Sequence, residues 1–158
     1  MRWQKLLFCL LAGAAASLCL PPISLLLAIL FLSYPALQLA EAKSRRDALL
    51  IAGAAGMGWF TASTHWIAHS LLVGDADFWF LVPLVAMGVP AMLAVFWLVA
   101  GAVAWQIGKT VTGRLIWFVA ILSFAEFARG HVATGFPWNA PGYLFSANLW
   151  LLQSASWF

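Results

Sequence analysis

Residues Phe78–Ile107 read FWFLVPLVAMGVPAMLAVFWLVAGAVAWQI, thirty in a row without a charge. A helix needs about 20 apolar residues to cross the roughly 30 Å hydrocarbon core of a bilayer. This run exceeds that length and has no polar face to turn toward water, which makes it a membrane span. Phe78-Trp79-Phe80 is an aromatic approach at the membrane interface, where such side chains gather. Pro83 and Pro90 predict an irregular first half and a kinked span.

The flanking sequence repeats the theme. Leu6–Leu20 is a first apolar run, stopped by Pro21-Pro22. Fifteen helical residues reach only about 22 Å, so this run needs its flanks or a thinned membrane. Its basic start, Met1–Lys5, and Ala14-Ala15-Ala16 also fit a cleavable signal peptide. A second span following at once argues for retention, and Leu18 before Cys19 does not fit a lipoprotein signal. Ile23–Ala40 is the second run, and Pro35 is expected to kink or end it. The third, Ala48–Val73, opens on Gly53, Gly56 and Gly58. Ala52/Gly56 and Ala54/Gly58 are small residues at i,i+4, a spacing that lets membrane helices approach closely. Leu115–Ala128 is the fifth run, and a sixth starts near Leu144 and continues to Phe158 without cap or flanking charge, as if cut. The spans are expected at 6–20, 23–40, 48–73, 78–107, 115–128 and 144–158, with a loop at 129–143. The fold class is an all-α membrane protein: a polytopic helical bundle of five spans plus the start of a sixth.

Composition agrees. Of 158 residues, 65% are hydrophobic and 8% charged, and the mean hydropathy is +0.96. Soluble domains carry about 25% charge, so a disordered tail is excluded, a water-soluble domain fits poorly, and two cysteines do not make a disulfide scaffold. With the N-terminus cytoplasmic, seven of the eight Lys and Arg residues lie inside and only Arg129 outside. Asp75 and Asp77 then fall outside, a positive-inside pattern. No basic stripe interleaves with exposed aromatics, so nucleic acid is not a partner.

Little in the chain has the material for chemistry. His65 and His69 share a helix face at i,i+4, a spacing that suits a metal, but they have no acidic or cysteine neighbour in sequence. The plainer reading is a pair of interfacial histidines around Trp66. Cys9 and Cys19 fall on different helix faces and read as small buried hydrophobes. There is no G-x-S-x-G, no phosphate loop and no H-E-x-x-H. Glu126 and Arg129, at i,i+3, are an ion pair near the outer end of the fifth span. They either fix the following loop or present polar contacts to a lipid headgroup or partner domain. In Thr134-Gly135-Phe136-Pro137-Trp138-Asn139, Pro137 and Gly135 shape a turn. The aromatics are either a passive interfacial belt or the wall of a lipid pocket.

Glu126-Phe127-Ala128-Arg129-Gly130, then Thr134-Gly135-Phe136-Pro137-Trp138, then Gly142-Tyr143 resembles the apolipoprotein N-acyltransferases of bacterial inner membranes. Gly53–Trp59, running on to Trp66, resembles that family's third helix. The resemblance implies transfer of a fatty acyl chain from a phospholipid to the N-terminal diacylglyceryl-cysteine of an apolipoprotein, through a cysteine thioester. The implied partners are a phospholipid donor, an apolipoprotein acceptor and the membrane, with no cofactor and no metal. It also implies a periplasmic nitrilase-like α/β domain carrying a catalytic Glu, Lys and Cys. No such set maps onto these residues, so no catalytic residue is assigned, and the chain is expected to be a truncated, inactive piece. Glu126, Arg129, Phe136, Pro137, Trp138 and Tyr143 match the family's periplasmic loop, where they are expected to shape the lateral entrance for acyl chains. The alternative is a non-catalytic small membrane scaffold or partner module. A transporter fits less well, since no charge lies near the middle of a span.

Overall fold

The computed structural model describes residues 3–73, 78–132 and 135–154. Among these every regular element is helical, and no strand occurs. Asp75, Asp77, Thr134 and residues 155–158 lie outside the described residues, and with them the expected outer acidic loop and the end of the sixth run.

The two helices with polar caps, at Ser44 and Thr110, begin before their apolar runs do. Helix α1 covers Trp3–Ala16 and ends in a 3₁₀ turn, Ser17–Cys19. The second run is a 3₁₀ stretch, Leu26–Leu32, leading into α2, Ser33–Ala40. Pro35 was expected to kink or stop a helix. It lies instead in the first turn of α2, where a missing N–H costs nothing. Helix α3, Arg45–Thr64, starts inside the polar stretch because the Ser44 side chain accepts from Asp47 N at 3.1 Å. Capping of this kind satisfies one of the free N–H groups of a helix start. Beyond α3 come a short α4, Trp66–His69, and a 3₁₀ turn, Ser70–Leu72. Helix α5, Val82–Ile107, holds Pro83 in its first turn and buried Pro90 inside. Helix α6, Val111–Arg129, starts from Thr110, whose hydroxyl accepts from Gly113 N at 3.0 Å. A 3₁₀ stretch, Pro141–Ala147, and α7, Leu149–Ser154, follow.

Two helical segments, Trp79–Ile107 and Val111–Arg129, are long and apolar enough to cross a membrane. Trp3–Cys19 and Leu26–Ala40 are apolar but shorter. On α6, Ile116, Val119, Phe124 and Phe127 recur at helical spacing and are 63–70% exposed. A soluble surface rarely carries such a stripe, whereas hydrocarbon accepts it.

Helix α3 is the centre, packed between α1 and α5, and α6 packs against α5 and α2. Small residues make this possible on both flanks of α3. A Cβ on Gly58 would collide with the Leu10 carbonyl oxygen and lie 3.0 Å from Ala14 N, and one on Gly13 would collide with the Ala55 carbonyl. Toward α5, a Cβ on Gly56 would come within 2.9 Å of Trp97 Cβ, and one on Gly101 would strike Ala52 Cβ. Ala52/Gly56 therefore admits α5, while Gly58 admits α1. Without a hydrophobic drive between helices in lipid, this close packing is what joins them. Two buried clusters fill the bundle. One holds Trp59, Phe60, Leu93 and Trp97, and the other Leu39, Ile51, Ala100 and Phe118.

At the end of the bundle where α2 stops and α6 begins, Arg114 Nη1 donates to the carbonyls of Ala40 (2.9 Å) and Ala42 (3.1 Å). Its Nε donates to Gly108 O at 3.2 Å, and the guanidinium lies 4.8 Å from the Trp105 ring centre. Trp105 Nε1 also donates to Ala42 O, at 2.8 Å. The end of α2 is thereby tied to the turn between α5 and α6.

Gly58→Ala is expected to lower the melting temperature in detergent sharply, since overpacking of this kind costs about 1–3 kcal/mol or more. Gly88→Ala, where a Cβ meets nothing within 4 Å, is the matched control and leaves the melting temperature unchanged or slightly raised. Equal effects from the two would contradict the backbone contact between α1 and α3.

Candidate functional site

The last turn of α6 ends in a buried charge pair. Arg129 Nη2 lies 2.5 Å from Glu126 Oε2, with the side chains 1% and 10% exposed respectively. Arg129 Nε also donates to Oε2, at 3.2 Å. The other carboxylate oxygen accepts from Trp97 Nε1 at 2.7 Å, which ties α6 to α5. The guanidinium stands 5.1 Å from the Phe60 ring centre on α3, near enough for a cation–π attraction. Isolated charges at such depth are costly, and mutual pairing with satisfied hydrogen bonds is what lowers that cost.

The remaining donors of Arg129 go into the following loop. Nη1 donates to Phe136 O and, at 3.0 Å, to Trp138 O. The backbone reinforces this grip, since Phe136 N donates to Arg129 O at 3.0 Å. Gly135 turns the chain at φ +74°, and any Cβ there would run into the Gly130 carbonyl. Asn139, at φ +57°, is a residue type that tolerates this left-handed conformation. Its carbonyl accepts from Trp59 Nε1 at 2.8 Å, and its Nδ2 donates to Ser63 O at 2.8 Å. The loop is thus fastened to α6 through Arg129 and to α3 through Asn139.

The six residues singled out from the sequence divide into two groups. Glu126 and Arg129 lie beneath the loop, and half-buried Phe136 packs against the cluster around Trp59 and Trp97. Pro137, Trp138 and Tyr143 line a cleft of about 670 Å³. Trp138 is 56% exposed and meets Trp66 edge-to-face, with ring centres 6.3 Å apart. Trp97, Trp59, Phe60 and Asn139 complete the arrangement and were not singled out from the sequence. Asn139 carried a readable signal, as a left-handed-tolerant residue just after Pro-Trp. The two tryptophans carried none, because they look like interfacial aromatics.

His65 and His69 meet edge-to-face with ring centres 6.0 Å apart. No third metal-ligating side chain joins them among the described residues. His65 Nδ1 lies 2.8 Å from Ala62 O. A carbonyl only accepts, so this nitrogen carries the hydrogen. Cys9 and Cys19 are free, buried and in separate core clusters. The arrangement holds a loop in place and shapes a cleft; no nucleophile with an adjacent base is assembled among the described residues.

A family model of the apolipoprotein N-acyltransferase N-terminal domain matches residues 12–158. The chain belongs to this family. Its relatives include apolipoprotein N-acyltransferases of Rhodopseudomonas palustris, 35% identical over 98% of the chain, and Allorhizobium ampelinum, 31% identical over 98%. That of Caulobacter vibrioides is 32% identical over 92% of the chain. The chain spans 28–31% of the length of these curated relatives. In this chain the Glu126–Arg129 pair and the loop it holds coincide with the E-F-A-R-G and T-G-F-P-W strings that carried the resemblance.

Arg129→Met leaves the Glu126 carboxylate buried without its partner. Breaking such a pair costs about 3–5 kcal/mol, so the variant is expected to unfold at lower denaturant and to expose the loop to protease. Glu126→Gln combined with Arg129→Met is expected to recover part of that loss. A double variant no better than Arg129→Met alone would show that the pair is not energetically coupled.

Proposed function

We propose that these residues form the membrane-embedded part of an apolipoprotein N-acyltransferase. The reaction is transfer of a fatty acyl chain from phospholipid to the amino group of an apolipoprotein's N-terminal diacylglyceryl-cysteine, the last step of lipoprotein maturation. The location is the bacterial inner membrane, with a cytoplasmic N-terminus, a periplasmic loop at 129–143 and further spans among the shorter apolar segments. The observation that carries this reading is the match of nearly the whole chain to relatives of that name. The geometry of the Arg129-held loop supports it, because Arg129 of one family-marking string holds the other, whose Pro137 and Trp138 line the cleft.

In this reading no residue here is a catalytic residue. Catalysis belongs to groups outside residues 1–158, and this part supplies position. Arg129 and Glu126 hold the loop, and Pro137, Trp138 and Tyr143 offer an apolar and aromatic wall past which an acyl chain leaves the bilayer. A wall preset by buried hydrogen bonds loses little entropy when a chain passes along it.

A chimera tests the assignment: residues 1–158 replace the matched segment of the Rhodopseudomonas palustris relative, in cells depleted of their own enzyme. Restored N-acylation, read by mass spectrometry of a lipoprotein N-terminus, is the expected result. A chimera that reaches the membrane at normal level and acylates nothing overturns it. Trp138→Ala in the active chimera is expected to slow transfer by roughly two- to tenfold, the equivalent of one lost aromatic contact. Unchanged transfer at equal protein level removes Trp138 from the entrance.

Orientation has its own test. Ser146→Cys is expected to react with a membrane-impermeant maleimide on intact spheroplasts, and Lys109→Cys only after lysis. The reverse order would invert the topology.

A further inference from the structure

His65 stands at a break between two helices. Helix α3 ends at Thr64 and α4 begins at Trp66, with His65 between them at φ −54° and ψ −30°. The backbone stays helical there, so His65 and His69 remain one turn apart on one face. Side chains nevertheless compete for the carbonyls of this turn. Thr64 Oγ1 donates to Phe60 O at 2.7 Å, and His65 Nδ1 donates to Ala62 O at 2.8 Å. Beyond the break, Ala68 N donates to His65 O at 3.2 Å. Back-bonding of the Thr64 kind bends and slightly weakens a helix.

The His65 bond also decides which ring nitrogen is available. With the hydrogen on Nδ1, the lone pair of the neutral ring is on Nε2. Metal-binding histidines are held in this way, the second nitrogen donating to a backbone carbonyl. The His69 side chain makes no hydrogen bond among the described residues. Both histidines are exposed, so their rings, with centres 6.0 Å apart, can turn toward one ion. His131 also donates from Nδ1 to a carbonyl, Phe127 O at 2.8 Å, but no histidine stands one turn from it.

We propose that His65 and His69 chelate a divalent transition-metal ion, Zn²⁺ or Cu²⁺, across the break between α3 and α4. Neutral imidazole suits these ions, and Zn–N bonds are about 2.0–2.1 Å long. Two rings leave the other positions of the ion to water, so the site binds and performs no reaction. Its effect is on the backbone. The ion fastens one turn to the next where side chains have loosened the helix, and it holds α4 in line with α3. Trp66 lies between the two ligands and meets Trp138 edge-to-face, so the bound ion steadies that contact. This goes beyond the reading above and does not depend on it.

Titration calorimetry tests the site on the chain in nanodiscs, without a polyhistidine tag. One equivalent of Zn²⁺ or Cu²⁺ is expected to bind, Cu²⁺ more tightly, whereas Mg²⁺ prefers oxygen ligands and is expected not to. His65→Ala and His69→Ala are each expected to weaken binding about 100-fold, because the second imidazole acts at high effective concentration. His131→Ala is expected to leave binding unchanged. His69→Ala combined with Ser70→His keeps three histidines but moves one by about 100° around the helix. That variant is expected to bind as weakly as His69→Ala.

Cu²⁺ electron paramagnetic resonance is expected to show two nitrogen ligands in the unaltered chain and one in either single variant. Zn²⁺ is expected to slow hydrogen exchange over residues 64–72 in the unaltered chain and not in His69→Ala. Melting in metal-free buffer checks that the variants, all at exposed positions, remain folded. Equal binding by His69→Ala or by the shifted pair, or a single nitrogen in the unaltered chain, overturns the chelate. Binding by both rings with no change in exchange overturns the fastening of the break.

Discussion

Helix α3 meets its neighbours on both flanks across glycines, backbone against backbone toward α1 and glycine against the side chains of Trp97 and Ala52 toward α5. Gly58 and Gly13 bring α1 against it, and Gly56 and Gly101 bring α5. Everything else inherits that spacing. Trp59 and Trp97 stack with ring centres 5.8 Å apart only because the two helices carrying them are this near. Trp97 in turn delivers an indole N–H to Glu126, and Phe60 offers its ring to Arg129. The polar site at one end of the bundle is therefore a consequence of packing set by glycines within it. In lipid this order is natural, since apolar side chains gain nothing by leaving the hydrocarbon for one another and close contact has to supply the attraction.

The charge pair shows how such a bundle hosts ionisable groups. Arg129 makes four N–H···O contacts, two to Glu126 and two to loop carbonyls. One side chain thus neutralises an acid and satisfies a backbone that leaves the helix. The carbonyls of Phe136 and Trp138 belong to irregular chain, which a membrane tolerates only where protein groups bind it. Arg129 is what lets a Gly-Pro-aromatic loop fold down onto the helix ends and carry Trp138 to the cleft.

The parts legible in the sequence were those set by local spacing. The i,i+4 small residues on α3 announced close helix approach, and the i,i+3 relation of Glu126 and Arg129 announced their pairing. The long apolar run at 78–107 contains α5, Val82–Ile107, which runs as one helix through Pro83 and Pro90 where an irregular first half was expected. What stayed hidden depended on distance in sequence. Nothing near Trp97 marks it as the partner of a carboxylate 29 positions later, and nothing near Ser63 foretells Asn139, 76 positions on. Pro35 misled because a proline that breaks a helix and one that begins it look alike without knowing where the preceding turn lies. Charge hid the start of α3, where Ser44 caps a first turn holding Arg45, Arg46 and Asp47.

Arg114 gives the opposite end of the bundle an order in time. The carbonyls of Ala40 and Ala42, at the end of α2, are bound by a guanidinium more than seventy residues later in the chain. During synthesis the first three helices emerge long before that residue does. Their junction can be latched only after α5 has been made and the turn behind it has brought α6 round. Assembly of the early helices is thus provisional until the later pair arrives, and a ribosome paused before codon 114 would hold a bundle with that latch still open.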